Sequence, residues 1–367
     1  MASNHQTYVH YSDSVEVKQP NEDEQTRQVV ESMARVNRMM FDKHRHAIRD
    51  AHAKSHGILR ADLQIYDHLP EELAQGLFKT PKTYPVIIRL STAPGAIMPD
   101  GQPTFRGFAI KVIGVDGQKF LPDEADAVTQ DFLLVNHPVI PTGTVETYLE
   151  QQLKLEKQAS LPQEVQTIQS QLITGVNKAL AVVGLNLEPN DLGVGKPNTH
   201  ILGETFFTMA ALRYGDYIAK LSATPLSDNV KALTGKEIDA SNDSALRDLV
   251  VDFFVREGAE YELRAQLCTD LDAMPVEDGS VEWSQEKSPY QPIGKIIIPA
   301  QNAYSPARRV YADDVLTFNP FHCLPAHRPL GSIMRARQLA YETSSQYRHK
   351  MNAQPKIEPK SIDELPD

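Results

Sequence analysis

The chain has 367 residues, 41% hydrophobic and 23% charged, enough for one large domain or two ordinary ones. Its formal net charge of −11 excludes sequence-independent binding to nucleic acid or to an anionic membrane, since both need a surplus of Lys and Arg. Two cysteines, Cys268 and Cys323, are too few and too far apart for a disulfide framework or a Cys-rich metal site, so they read as reduced, buried thiols of a cytoplasmic protein. Met1 to Gln6 carries no basic segment leading into an apolar stretch, and no run of about 18 apolar residues follows, so neither export nor membrane insertion is expected.

Residues 1–20 are polar, end in Gln19-Pro20 and read as an N-terminal arm. Asn21-Glu22-Asp23-Glu24 supplies a cap and acids for a helix whose apolar stripe, Val29, Val30, Met33, Val36, Met39 and Met40, is expected to pack in the core. Segments 57–66, 84–91, 105–112 and 129–135 are rich in β-branched and aromatic residues between Pro, Gly and Asp turns, and predict strands. Residues 143–181 look helical, and 186–200, rich in Pro, Asn and Gly, predicts a loop. Strands are expected again at 202–211, 216–222, 261–269 and 294–299, around a polar, helix-like stretch at 226–256. A last helix at 331–350 precedes a Pro/Glu/Asp-rich segment, 353–367, expected to be a flexible tail. Two batches of strands separated by helices fit an α+β fold, an antiparallel sheet or closed barrel with helices outside it, and residues 21–352 form its one domain.

The most informative run is Arg337-Gln338-Leu339-Ala340-Tyr341 with Arg348 beyond it. On a helix these three residues fall within about 40° of one another, so a phenol and two guanidinium groups share a face. A phenol is a poor ligand at neutral pH, but an arginine one turn back favours the phenolate, which binds ferric iron. Tyrosine ligation of haem is the catalase choice. Alone, Arg-x-x-x-Tyr is far more often an ordinary helix pair. His44, His46, His52 and His56 raise a zinc reading, since 52 and 56 are spaced i, i+4, but the segment lacks a nearby acidic third ligand in a recognisable motif and Gly57 ends any helix. His137, His322 and Trp283 read as structural.

Upstream lie Arg49-Asp50-Ala51-His52 and Arg89-Leu90-Ser91-Thr92. Together with Arg337 to Tyr341 and Arg348, in that order and at those separations, they resemble the haem-site motifs of the catalase family. Phe105-Arg106-Gly107-Phe108-Ala109-Ile110-Lys111 is similar to the strand that follows in catalases, and Arg213 to Tyr217 and Pro292 to Ile296 are similar more loosely. The resemblance runs from about residue 30 to 352 and is weakest across 143–200 and 226–258. It implies a catalase-like antiparallel β-barrel of about eight strands with helices around it, binding haem b. It further implies Tyr341 as iron ligand, Arg337 as its charge partner, and Arg49, Arg89 and Arg348 on the propionates. His52 would be the distal base, oriented by Ser91. The activity implied is reduction of hydrogen peroxide or organic hydroperoxides through a ferryl intermediate, with a peroxide and a small organic reductant as partners.

The chain departs from that pattern at several points. Ala51 stands where catalases usually have valine, and the distal asparagine is missing from Val128 to Leu134, leaving Thr129 or Gln130 as substitutes. Val139-Ile140-Pro141 replaces the phenylalanine against the haem face, and Glu204-Thr205-Phe206 replaces a proximal His-Thr-Phe. A looser pocket without its amide donor should hold a second peroxide less well, so weak dismutation and stronger peroxidase activity are expected. The C-terminal extension domains of larger catalases are not expected, and the short arm favours a homodimer. The alternatives are a haem enzyme that rearranges fatty-acid hydroperoxides, like an allene oxide synthase, and a non-catalytic haem-binding protein.

Overall fold

The computed structural model describes residues 7–160 and 198–367. Its centre is a closed antiparallel barrel of eight strands. They are β1 (Lys54–Ile65), β2 (Thr83–Thr92), β3 (Arg106–Ile113), β4 (Thr129–Val135), β5 (Phe206–Phe207), β7 (Tyr217–Pro225), β8 (Ala259–Leu267) and β9 (Gln291–Ile298). The order around the barrel is β5-β4-β3-β2-β1-β9-β8-β7, closed by β5 against β7, with β6 (Leu212–Tyr214) added on the far side of β7. Alternation along the strands puts Leu59, Leu63, Val86, Ile88, Leu90, Phe108, Ile110, Phe132, Leu221, Tyr261 and Leu263 inside, all of them buried. The opposite face of β2, β3 and β4 is also covered, yet it carries Arg89, Ser91, Lys111 and Asp131, each at most 2% exposed. Buried polar residues on the outer face of a barrel need partners, and those partners build the site.

The first four strands were legible in the sequence to within three residues at either end. The expected strand at 202–211 is instead a 3-10 turn, Ile201–Gly203, followed by the short β5 and β6. The helical part of 143–181 that is described is α2 (Val145–Ala159); the remainder and most of the expected loop at 186–200 lie outside the described residues. Helices α3 (Asp228–Lys231) and α4 (Ala245–Phe254) occupy the polar stretch, and α4 buries Leu246, Val250 and Phe254 against the barrel.

Helix α1 (Glu22–His44) has acids in its first turn and Lys43 and His44 in its last, as the helix dipole favours. Its Val29 and Met33 pack on Ala340 of the last helix, α6 (Ser332–Met351), with Tyr148 and Leu149 of α2 alongside, so the methionine stripe does serve core packing. The arm is tied along the barrel: Val9 N–H reaches Cys268 O at 2.8 Å, and Glu16 pairs with Arg328 at 2.8 Å and Arg335 at 2.7 Å. Both cysteines are buried. No helix among the described residues is long and apolar enough to cross a membrane.

The segment 353–367, expected to be flexible, is docked. Leu365 is fully buried, and Glu358 joins a buried ion network on the outer face of β3 and β4. There Lys111 Nζ lies 2.7 Å from Asp131 Oδ1 and 2.7 Å from Glu358, while Glu358 also accepts from Thr129 at 2.9 Å and Thr317 at 2.6 Å. His322 faces Asp131 at 3.2 Å and also Glu124, which holds Lys356 at 2.8 Å. Composition gives no hint of this, because a tail poor in apolar residues is held here by charge. Burial opposes protonation of His322, but hydrogen bonds to Asp131 and Glu124 outweigh it and push the imidazole up to about 9.

Burial first, with the charges of Arg213 and Lys236 respectively adding to it, drives His327 down to about 3 and His200 to about 4, so the two kinds of histidine act on opposite sides of the ordinary value of about 6.5. A raised folded-state pKa contributes stability below pH ~6.5 that is lost as pH rises through 9; a depressed one contributes above ~6.5 and is lost as pH falls. Thermal denaturation across pH should therefore show two limbs meeting near pH ~6.5, and His322→Gln should flatten only the alkaline one. An alkaline slope unchanged in that variant contradicts the network. Asp131→Ala, which strips Lys111 and His322 together, should cost about 3–5 kcal/mol, against roughly 1.5–3 for Glu358→Ala, which leaves Lys111 paired.

Candidate active site

Between α1 and β1 the chain makes an irregular turn, Arg49 to Ala53. His52 sits in the left-handed region, at φ 55°, a conformation a non-glycine residue keeps only where its surroundings impose it. Its N–H donates to Ala93 O at 2.8 Å, and its Nδ1 lies 3.0 Å from Ser91 Oγ on β2. The imidazole rests on bare backbone of β3, for a Cβ on Gly107 would lie 2.5 Å from Nδ1 and 2.6 Å from Ser91 Oγ. Burial first, and then Arg89, Arg337 and Arg49, lower the His52 pKa to about 3, so the ring is neutral at neutral pH. With Nδ1–H donating to Ser91, Nε2 keeps a free lone pair.

Across from this turn, α6 presents Arg337, Tyr341, Ser344 and Arg348 within about 60° of arc. Arg337 Nη2 donates to Tyr341 Oη at 2.7 Å. Tyr148 of α2 and Asp50 of the turn both face Arg337, and burial pushes the Tyr148 phenol up to about 12 although Arg337 opposes it. Beside Arg337, a small open cleft is lined by Leu133, Ala210, Pro320, His327 and Met334 among others.

Arg49, Arg89 and Arg348 converge on one segment that sequence patterning did not reveal. After α5 (Pro306–Val310) the chain forms a single π-helical turn, Tyr311–Val315. Arg49 Nη2 donates to Ala312 O at 2.6 Å and Leu316 O at 2.8 Å; Arg348 donates to Asp314 O at 2.8 Å and Leu316 O at 3.2 Å. Asp313 Oδ1 accepts from Arg89 Nη2 at 2.9 Å and Arg49 at 3.3 Å, and Ser55 holds the other oxygen at 3.0 Å. Burial works against the ionisation of Asp313, but Arg89 and Arg49 outweigh it and keep its carboxyl below the usual range. Asp313 is the carboxylate in direct contact with these guanidinium groups; Asp314 and Asp50 oppose their mutual repulsion from farther off. Burial and then the charge of Arg89 bring Arg348 down to about 10, and burial and then Arg348 move Arg49 the same way.

Thus all seven residues picked from sequence, Arg49, His52, Arg89, Ser91, Arg337, Tyr341 and Arg348, are brought to one region. Asp313, Ser55, Asp50 and Tyr148 were missed; an acidic pair at 313–314 looks like solvated surface in a string of letters. The zinc reading fails on geometry: His44 ends α1, His52 is in the turn, and His56 is the bulge residue of β1. No group of metal-ligating His, Cys, Asp and Glu occurs among the described residues.

No protein-family model matches the chain, and no curated protein matches it in sequence. Solved structures do. A fungal catalase aligns over 84% of this chain and 61% of its own, at 16% identity and a TM-score of 0.55. Catalase A from Saccharomyces cerevisiae aligns over 85% and 65%, at 16% identity and 0.58. A bacterial catalase aligns over 84% and 59%, at 17% and 0.55. The fold is catalase-like. The chain spans about three-fifths of the length of these catalases.

Within this catalase-like frame, neither suggested stand-in for the missing asparagine turns toward His52. Thr129 donates to Glu358, and Gln130 accepts from Leu324 N–H at 2.8 Å. Ile140 packs with Ala210, Phe321 and Met334, while Phe206 lies inside the barrel, 4.9 Å from the ring of Phe108.

The crowded arginines make a prediction. Asp313→Asn should lower the melting temperature at low ionic strength, and added sulfate should restore more stability to the variant than to the parent. Equal sulfate responses would show that the cluster carries no uncompensated charge.

Proposed function

We propose that the chain binds haem b between the His52 turn and α6 and reduces peroxides, hydrogen peroxide or organic hydroperoxides, with a small organic donor as reductant. The observation that carries the reading is the facing arrangement of a neutral, serine-held imidazole and an arginine-bonded phenol beside three buried guanidinium groups. The residues fit the cofactor. Arginines crowded enough to depress one another suit an anion such as a propionate, for which their forked donors are shaped. Gly107 keeps the distal face free of any side chain that would displace His52.

When bound, haem supplies an iron that polarises the O–O bond and takes up its oxidising equivalents. Tyr341 would be the iron ligand, with Arg337 donating to its anionic oxygen. Arg49, Arg89 and Arg348 would hold the propionates. His52 Nε2 takes the proton from the near oxygen of a peroxide and returns it to the far oxygen, which then leaves as water or alcohol. Ser91 keeps the ring in the tautomer that can do so. Because Thr129 and Gln130 are engaged elsewhere and Ala51 is small, little orients a second peroxide, and donor oxidation should dominate over dismutation.

Hemin added to the purified chain should give a phenolate-type absorption spectrum that Tyr341→Phe abolishes; an unchanged spectrum refutes the ligand assignment. His52→Ala should slow peroxide-dependent donor oxidation by about 10²–10⁴-fold without loss of hemin. A pKa of about 3 at His52 sets the acid limb of this activity, since only the neutral ring accepts a proton, so turnover should persist well below pH ~6.5. Copious oxygen release from hydrogen peroxide would contradict the weak dismutation proposed.

A further inference from the structure

We propose that Asp50 is a positioning residue: its hydrogen bond from Ser344 clasps the distal turn to the Tyr341 helix and so holds His52 at a fixed height above the phenol. The proposal rests on the haem reading for the use of the clasp, and on the Ser344–Asp50 hydrogen bond for its existence.

Arg49 to His52 belong to no helix or strand, so no ladder of backbone bonds sets their height. On the side of β2 the turn is anchored by the His52–Ser91 bond and by its backbone. His52 N–H donates to Ala93 O at 2.8 Å and Ala53 N–H to Pro94 O at 3.1 Å, and Gly95 approaches so closely that a Cβ there would lie 1.9 Å from Asp50 O. All three contacts are with the loop that follows β2. On the other side, toward α6, Ser344 Oγ donates to Asp50 Oδ1 at 2.9 Å. Ser344 is buried and follows Tyr341 by three residues on the same face of the helix, while Asp50 precedes His52 by two. This hydrogen bond joins the element carrying the phenol to the turn itself, while Asn352 at the end of the same helix holds the chain just before the turn through Ala47 N–H and O at 2.9 and 2.8 Å. Packing offers little help, because Ala51, between the clasp and the base, is exposed and has only a methyl group. His52 also holds a left-handed backbone, which persists only where the neighbourhood over-determines it, and the clasp completes that enclosure. Catalases usually have valine just before the distal histidine; in this chain a polar link one residue earlier takes over the fixing of the turn.

The test is amide hydrogen exchange at His52 and Ala53 in the full chain, without hemin and after its addition. Ser344→Ala should speed exchange at both amides by about tenfold or more and leave the β3 amides unchanged. Asp50→Asn keeps an acceptor oxygen for Ser344 and should stay within about threefold of the parent. With hemin, Ser344→Ala should lower kcat for peroxide reduction while KM for the donor holds. Parental exchange in Ser344→Ala overturns the clasp, as does equal acceleration of the barrel amides, or an Asp50→Asn chain that exchanges as fast as Ser344→Ala. Should the parent chain bind no hemin while Ser344→Ala still loosens the two amides, the functional reading falls and the clasp stands.

Discussion

Three guanidinium groups buried around a single turn of backbone are the constraint that orders the rest of this site. Arg89 and Arg348 are 2% and 3% exposed, and neither can shed its charge at neutral pH, so each must find acceptors inside the protein. The π-helical turn at Tyr311–Val315 provides them. Its ring closes from Leu316 N–H back to Tyr311 O, and the widened geometry leaves the carbonyls of Ala312, Asp313, Asp314 and Leu316 to accept from arginine. An ordinary α-helix would have consumed most of those carbonyls in its own ladder. The turn comes from the C-terminal half of the chain and the arginines from three other elements, so the cluster also ties α6, β2 and the distal turn into one body.

That body is mounted on a rigid base. Arg89 and Ser91 stand two residues apart on β2, opposite Ala109 and Gly107 of β3, and the ladder fixes their spacing without side-chain packing. The proximal side is equally determined by one helix, on which positions 337, 341, 344 and 348 repeat at the period of the turn. Arg49 and His52 come from irregular chain, and of the two it is His52 whose backbone is strained. The imidazole proposed to carry the proton is therefore the group whose placement depends on a few identifiable contacts with Ser91, Gly107 and the turn's anchors.

The difference between what could be read in the sequence and what could not follows from the range of the interactions. The barrel strands were legible because alternation is local, and β4 was placed at its actual limits, Thr129–Val135. The site residues were legible because arginine, tyrosine and histidine stood at helical and strand spacings that resemble a known motif. Asp313 was not, since its importance arises from Arg49 and Arg89, more than two hundred residues upstream. The docked tail escaped for the same reason. Glu358 belongs to a segment of disordered-like composition, and only the cross-strand pair Lys111 and Asp131 makes it a buried anchor. The 202–211 stretch misled in the other direction: it has strand-like residues, but the barrel has room there for only two of them in β5 before the chain turns to β6.

Charge also bears on what the site would admit. The chain carries −11 overall while its inner cluster is cationic, so a dianionic cofactor of the kind proposed would be held by close contacts against an unfavourable outer field. At physiological salt the Debye length is about 8 Å, and the buried arginines are screened far less than the surface acids, so the local term wins once the cofactor is seated. A diffusing substrate meets the outer field first. Hydrogen peroxide and small alkyl hydroperoxides are neutral and cross it freely, whereas the carboxylate of a fatty-acid hydroperoxide is repelled on approach. Among the chemistries a tyrosine-ligated haem can support, this favours reduction of small neutral peroxides over rearrangement of lipid ones, and neutral or cationic donors over anionic ones.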